Sequence, residues 1–137
     1  MANTFTSRFV QHYRNATAVA TAALGGLGTD VVTGAMLLAT AGTNDSIVMR
    51  LTAMPRDTNT ASSLMLFIMQ TDGFYRPLRS KLMTGYTFSA TTEVPTTEFA
   101  TVTEDTPIYL GAGEKLYVGT KVALAAGIVF DAQIGDF

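Results

Sequence analysis

The chain has 137 residues, a size at which a single domain buries about two-thirds of the surface its unfolded form exposes, so it needs no covalent or metal staple to fold. Its 47% apolar and 15% charged residues argue against disorder and against a coiled coil, and a net charge of −2 with nine scattered Lys and Arg argues against a nucleic-acid partner. With no Cys and one His, thiol nucleophiles, disulfides, iron–sulfur clusters and Cys/His zinc sites are excluded together.

Met1 to Val10 mixes Asn, Thr, Ser and Arg with two Phe, which is unlike a secretory signal, so the chain is expected to be made and kept in a cytoplasm. No stretch of about 18 apolar residues occurs, and no membrane-spanning helix is expected. Thr and Ala are the commonest residues, 22 and 18 of them, and β-branched Thr leans the chain towards strand. In residues 1–33 the apolar side chains are small and sparse, and Gly25-Gly26-Leu27-Gly28 is too flexible for a strand interior. This stretch is expected to be an extended N-terminal arm, with room for one strand or a helical turn, docked on a neighbouring subunit.

From Gly34 the chain becomes a series of short apolar runs divided by turn formers. Ala35–Ala39 ends at Thr40-Ala41-Gly42-Thr43-Asn44-Asp45. Ser46–Met54 alternates with period two, placing Ile47, Met49, Leu51 and Ala53 on one face and Val48, Arg50, Thr52 and Met54 on the other. Ser63–Gln70 contains Leu64-Met65-Leu66-Phe67-Ile68-Met69, apolar on both faces, as in a central strand covered on both sides or lying beneath a partner. Asp72-Gly73 then predicts a hairpin into Phe74–Leu82. The Thr-rich stretch from Thr84 to Thr103 is interrupted by Pro95, which suits an edge or a loop. Ile108-Tyr109-Leu110, Lys115–Gly119 and Ile128–Ile134 complete the series, the last with Ile128, Phe130, Ala132 and Ile134 on one face. Many short strands without a long amphipathic helix predict an all-β fold: an antiparallel, jelly-roll-like β-sandwich over residues 34–137 behind the arm of residues 1–33.

The residues with chemical potential all have plainer readings. Gly25–Gly28 and Gly111-Ala112-Gly113 permit close backbone approach to a phosphate, but no Gly-Lys-Ser or Gly-Lys-Thr accompanies them, so ordinary turns are expected. His12 is the one candidate for a near-neutral base, and the simpler reading is an exposed or interface His. Glu104-Asp105 with Asp131 or Asp136 is the best candidate for a metal cluster, although most carboxylates sit at predicted turns where they bond local backbone. Phe74, Tyr75, Tyr86 and Phe88 could stack on sugars, against the commoner role of packing in a core or interface. Met49, Met54, Met65 and Met69 suit adaptable packing. No catalytic, cofactor-binding or metal-ligating residue and no cofactor is therefore expected.

The segment Leu110-Gly111-Ala112-Gly113-Glu114-Lys115-Leu116-Tyr117-Val118-Gly119, the Ala125-Ala126-Gly127 turn and the ending Ile134-Gly135-Asp136-Phe137 together resemble small structural proteins of tailed bacteriophages. The resemblance extends to Ala39–Ile47 and to the Leu-rich strand and Asp-Gly hairpin of Leu64 to Tyr75, covering roughly residues 35–137. It implies a non-enzymatic β-sandwich virion protein, most simply a decoration or cement protein on the outer capsid surface, with the major capsid protein as partner and a homotrimer favoured. The alternative is a receptor- or carbohydrate-binding sandwich module on a phage tail or capsid. No functional residue is carried over, because the function of such proteins resides in surfaces.

Overall fold

The structure, a computed structural model, describes residues 9–137. Nine strands follow in order: β1 (His12–Ala20), β2 (Met36–Thr40), β3 (Ser46–Pro55), β4 (Ser62–Met69), β5 (Tyr75–Met83), β6 (Thr97–Glu98), β7 (Ile108–Leu110), β8 (Lys115–Thr120) and β9 (Ile128–Asp136). Two antiparallel sheets pack as a sandwich, one ordered β1-β9-β3 with β6 and β7 both on the far side of β3, the other ordered β2-β8-β4-β5. Because β6 and β7 share one position, the eight strand positions follow jelly-roll order, changing sheet at every step except the β4–β5 hairpin.

The core lies between the sheets, and its largest members come from the alternating faces of the inner strands. Ile128, Phe130, Ala132 and Ile134 of β9 are fully buried, as their period predicts, opposite Leu64 and Leu66 of β4 and Leu116 and Val118 of β8. Burying one such side chain is worth about 1.5–3 kcal/mol, so these residues supply much of the drive for closing the sandwich.

Two features depart from simple periodicity. In β3 the register against β9 slips between Val48 and Arg50, a bulge that gives Met49 no direct partner. Val48 therefore shares the buried face with Leu51 and Ala53, and not the face with Arg50 and Thr52 that strict alternation assigns it. The second departure concerns residues 1–33. Of these, residues 1–8 lie outside the described residues, but residues 12–20 form β1, which pairs with β9 without a break from His12↔Asp136 to Ala20↔Ile128. Its inward residues include Ala16, Ala18 and Ala20, too small to produce a strong alternating signal, although Ala20 is fully buried.

The connection from β1 to β2 turns back over the outer face of the second sheet. Ala23 bridges to Thr120, Leu24 N–H donates to the Thr120 carbonyl, and Tyr75 N–H donates to the Asp30 carbonyl. A Cβ at Gly119 would meet the end of the Leu24 side chain, so glycine lets this segment lie close against the strand. Val32 and Phe67 are buried yet stand outside the main core. The two-faced apolar character of β4 thus has an intramolecular explanation: one face meets the other sheet, and the opposite face lies on the side covered by this connection.

At the β4–β5 hairpin, Gly73 has φ 79° and its N–H donates to the Gln70 carbonyl. No atom crowds the place a Cβ would take, so conformation alone selects glycine. Gly73→Val is expected to destabilise the fold by about 1 kcal/mol or more, and Gly73→Asn by less, in denaturant melts, because Asn tolerates the left-handed region better than a β-branched residue.

Candidate functional site

Asp136 of β9 sits opposite His12 on one side and Ser46 on the other. Its carboxylate accepts from Arg14 Nε at 2.7 Å and from Ser46 Oγ at 2.5 Å, while Ser46 Oγ accepts from Gly42 N–H at 2.9 Å. Arg14 Nη2 reaches on to the Thr40 carbonyl at 2.9 Å, so one carboxylate links β1, β9, the start of β3 and, through the guanidinium, the end of β2. The hydrogen bond from Arg14 holds the Asp136 carboxyl below its ordinary range, opposed by burial and helped by Ser46 and by the charges of Arg14 and His12. Ser, Asp and His thus fall in one row, but the carboxylate lies between the other two. A nucleophile–base pair needs the imidazole in that middle place, so this row is a structural clasp.

The other sequence candidates are dispersed. Gly111 N–H is taken by Glu114 Oε1 and Ala112 N–H by Asp45 Oδ1, so the glycine turn directs its amides at carboxylates of the same chain. Gly25 pairs with Thr33 in the covering connection. Asp30 and Asp72 meet Arg76, Glu98 meets Arg50, and Asp57 caps Thr58 N–H. These exposed ion pairs contribute little to stability. Among the described residues no group of three or more His, Cys, Asp and Glu is placed to hold a metal, so Glu104, Asp105, Asp131 and Asp136 do not converge. Asp131 lies on the outer face of β9 between Thr17 and Thr52, with Oδ1 buried and unpartnered.

Of the aromatic candidates, Tyr75 packs edge-on against Tyr117 at 4.9 Å and Phe67 at 6.3 Å, Tyr86 against Phe88 at 5.8 Å, and Phe74 lies under the Arg76 guanidinium at 5.2 Å. Burial and the neighbouring Tyr117 hydroxyl push the Tyr75 phenol up. The most exposed aromatic side chains are others. Tyr13, Gly135, Ile47 and Tyr109 form one cross-strand row over β1, β9, β3 and β7 on the outer face of the first sheet. Tyr13 is 67% and Tyr109 73% exposed, and Phe9 nearby in sequence is 68% exposed. Val10 lies over Gly135, where an added Cβ would come within 2.9 Å of its methyl groups. Beside Tyr109 a depression of about 310 Å³ is lined by Asp45, Ser46, Leu110, Gly111 and Phe137. This row is the candidate functional surface. Tyr109 was legible from the sequence, since it stands between buried Ile108 and Leu110, whereas the row itself depends on the register of four strands.

Comparison with protein-family models, with curated proteins and with solved structures finds no match to this chain.

The Asp136 clasp has a pH signature. A folded-state pKa held below the unfolded value stabilises the fold above the ordinary carboxylate range, and the stabilisation is lost as pH falls through the folded pKa, below about pH 4. Asp136→Asn is expected to cost about 2 kcal/mol at neutral pH and to flatten the acid limb of a stability–pH profile measured by urea unfolding.

Proposed function

We propose that the protein is a structural component of a bacteriophage virion, binding the major capsid protein as an oligomer on the outer capsid surface and catalysing no reaction. The observation that carries this reading is the cross-strand row in which exposed Tyr13 and Tyr109 flank half-buried Ile47, laid across an outer sheet face beside Val10. Tyrosines on such a surface bury large area with little loss of side-chain freedom and are frequent hot spots of protein interfaces.

Two further lines support it. Jelly rolls serve both viral capsids and lectins, so the fold raises the prior for a virion role by analogy alone. The strand and turn pattern of residues 35–137 resembles phage structural proteins. Contacting several capsid subunits at once multiplies weak patches into stable attachment without a deep site.

Co-sedimentation with empty capsids tests the proposal. Tyr109→Ala is expected to weaken capsid binding about tenfold or more, as hot-spot truncations do, while Asp30→Ala changes it little. Failure to bind any capsid together with retention on a glycan array would favour the receptor- or carbohydrate-binding alternative.

A further inference from the structure

The four exposed sheet edges are not alike. Strand β5 carries Pro77, Arg76, Arg79 and Lys81 and has a register shift against β4. Strand β2 has five residues and a shift between Leu37 and Ala39, and β6 and β7 have two and three residues. Proline, lysine, bulges and shortness are the usual devices that stop an edge from pairing with another chain. Strand β1 has no proline, lysine or bulge: nine residues, His12-Tyr13-Arg14-Asn15-Ala16-Thr17-Ala18-Val19-Ala20, run in unbroken register with β9, its arginine is held by Asp136, and among the described residues no strand pairs on its other side.

The hydrogen-bond alternation identifies which groups this edge presents. Phe137 N–H donates to the Asp45 carbonyl, so odd-numbered residues of β9 serve β3, while the even-numbered ones, including Asp136 whose carbonyl takes Gln11 N–H, serve β1. The even-numbered residues of β1 lie opposite those even-numbered residues and bond to them. Tyr13, Asn15, Thr17 and Val19 therefore turn their backbone N–H and C=O outward.

We propose that β1 pairs with β1 of a second copy of this chain, antiparallel about a two-fold axis through Ala16, joining the two larger sheets into one. Self-complementarity selects this occupant and this register. Only with Ala16 on the axis do all nine residues find partners. The outward backbone groups then meet one another, since odd-numbered residues face odd-numbered ones. On the outer face Tyr13 lies opposite Val19 of the second copy and Asn15 opposite Thr17, an aromatic–β-branched pair and a hydrogen-bonding pair. On the inner face His12 lies opposite Ala20 and Arg14 opposite Ala18, so no like charges meet, and Arg14 is already neutralised by Asp136. Shifting the axis to Arg14 would set the two arginines against each other. This two-fold dimer differs from the trimer that the phage resemblance implies, and it does not depend on capsid binding.

Light scattering on the purified 137-residue chain is expected to give twice the 14.6 kDa chain mass. Asn15→Pro removes an outward N–H and no bond to β9, so it is expected to leave the circular dichroism and melting temperature near wild type and to weaken self-association at least tenfold. Cross-linking reads the register independently of that variant, because the native chain has no Cys. In the proposed pair the two copies of residue 16 have Cα atoms about 4.5 Å apart, within disulfide range, whereas the two copies of residue 19 are about 20 Å apart along the strand. Mild oxidation is expected to dimerise Ala16→Cys and leave Val19→Cys monomeric. A monomeric or trimeric wild type, a folded Asn15→Pro variant that dimerises like wild type, or cross-linking of Val19→Cys as fast as Ala16→Cys would overturn the proposal. Protection of the β1 edge only when capsid is present, with a monomer in free solution, would assign it to a partner strand and overturn it equally.

Discussion

Strand β9 is paired along its whole length on both sides, by β1 and by β3, and it contributes four fully buried side chains to the core. The rest of the larger sheet is built outward from it. Asp136, at one end of this strand, then closes the sandwich by holding Arg14 and Ser46 together, and Arg14 extends the clasp to the Thr40 carbonyl of the other sheet. A charge-assisted contact of this kind stabilises the fold chiefly because leaving either partner unpaired and half-buried is costly. Acid sensitivity is thus built into the same residues that bind the two layers.

The two outer faces of the sandwich have different fates. The face carrying Tyr117 and Gly119 is approached by the connection from β1 to β2, which brings Leu24 against Gly119 and the Asp30 carbonyl to Tyr75. The opposite face keeps Tyr13 and Tyr109 in solvent, and the sheet that bears it ends in β1, a strand with no proline, lysine or bulge and no further strand paired to it among the described residues. Face and edge meet in β1. Tyr13 belongs to both, as a member of the row that ends at Tyr109 of β7 and as a side chain beside the open edge of β1.

Much of the fold was legible because large side chains alternate where strands are half-covered. Ile128, Phe130, Ala132 and Ile134 announce β9, and Asp72-Gly73 announces the turn between β4 and β5. Strand β1 was not legible as part of the sandwich. Its inward Ala16, Ala18 and Ala20 alternate with Thr17 and Val19, and Val19 is more apolar than the alanines beside it, so no clear alternation shows, and its partner lies more than a hundred residues away. The bulge at Met49 was hidden for a related reason, since both faces of β3 carry apolar side chains and a slip by one residue leaves the pattern plausible. For the candidate surface, residue types were visible but adjacency was not: Tyr13 and Tyr109 become neighbours in one row only through the ladders of β9 and β3.

Strand β1 is bonded to β9 on one side and, among the described residues, open on the other. Residue-resolved amide hydrogen exchange across a dilution series tests it directly. The Arg14, Ala16 and Ala18 amides are predicted to exchange only with global unfolding at every concentration, and the Asn15, Thr17 and Val19 amides to lose protection as the dimer is diluted. Rapid exchange of all six amides at every concentration would contradict the account, because β1 would then be an arm detached from β9.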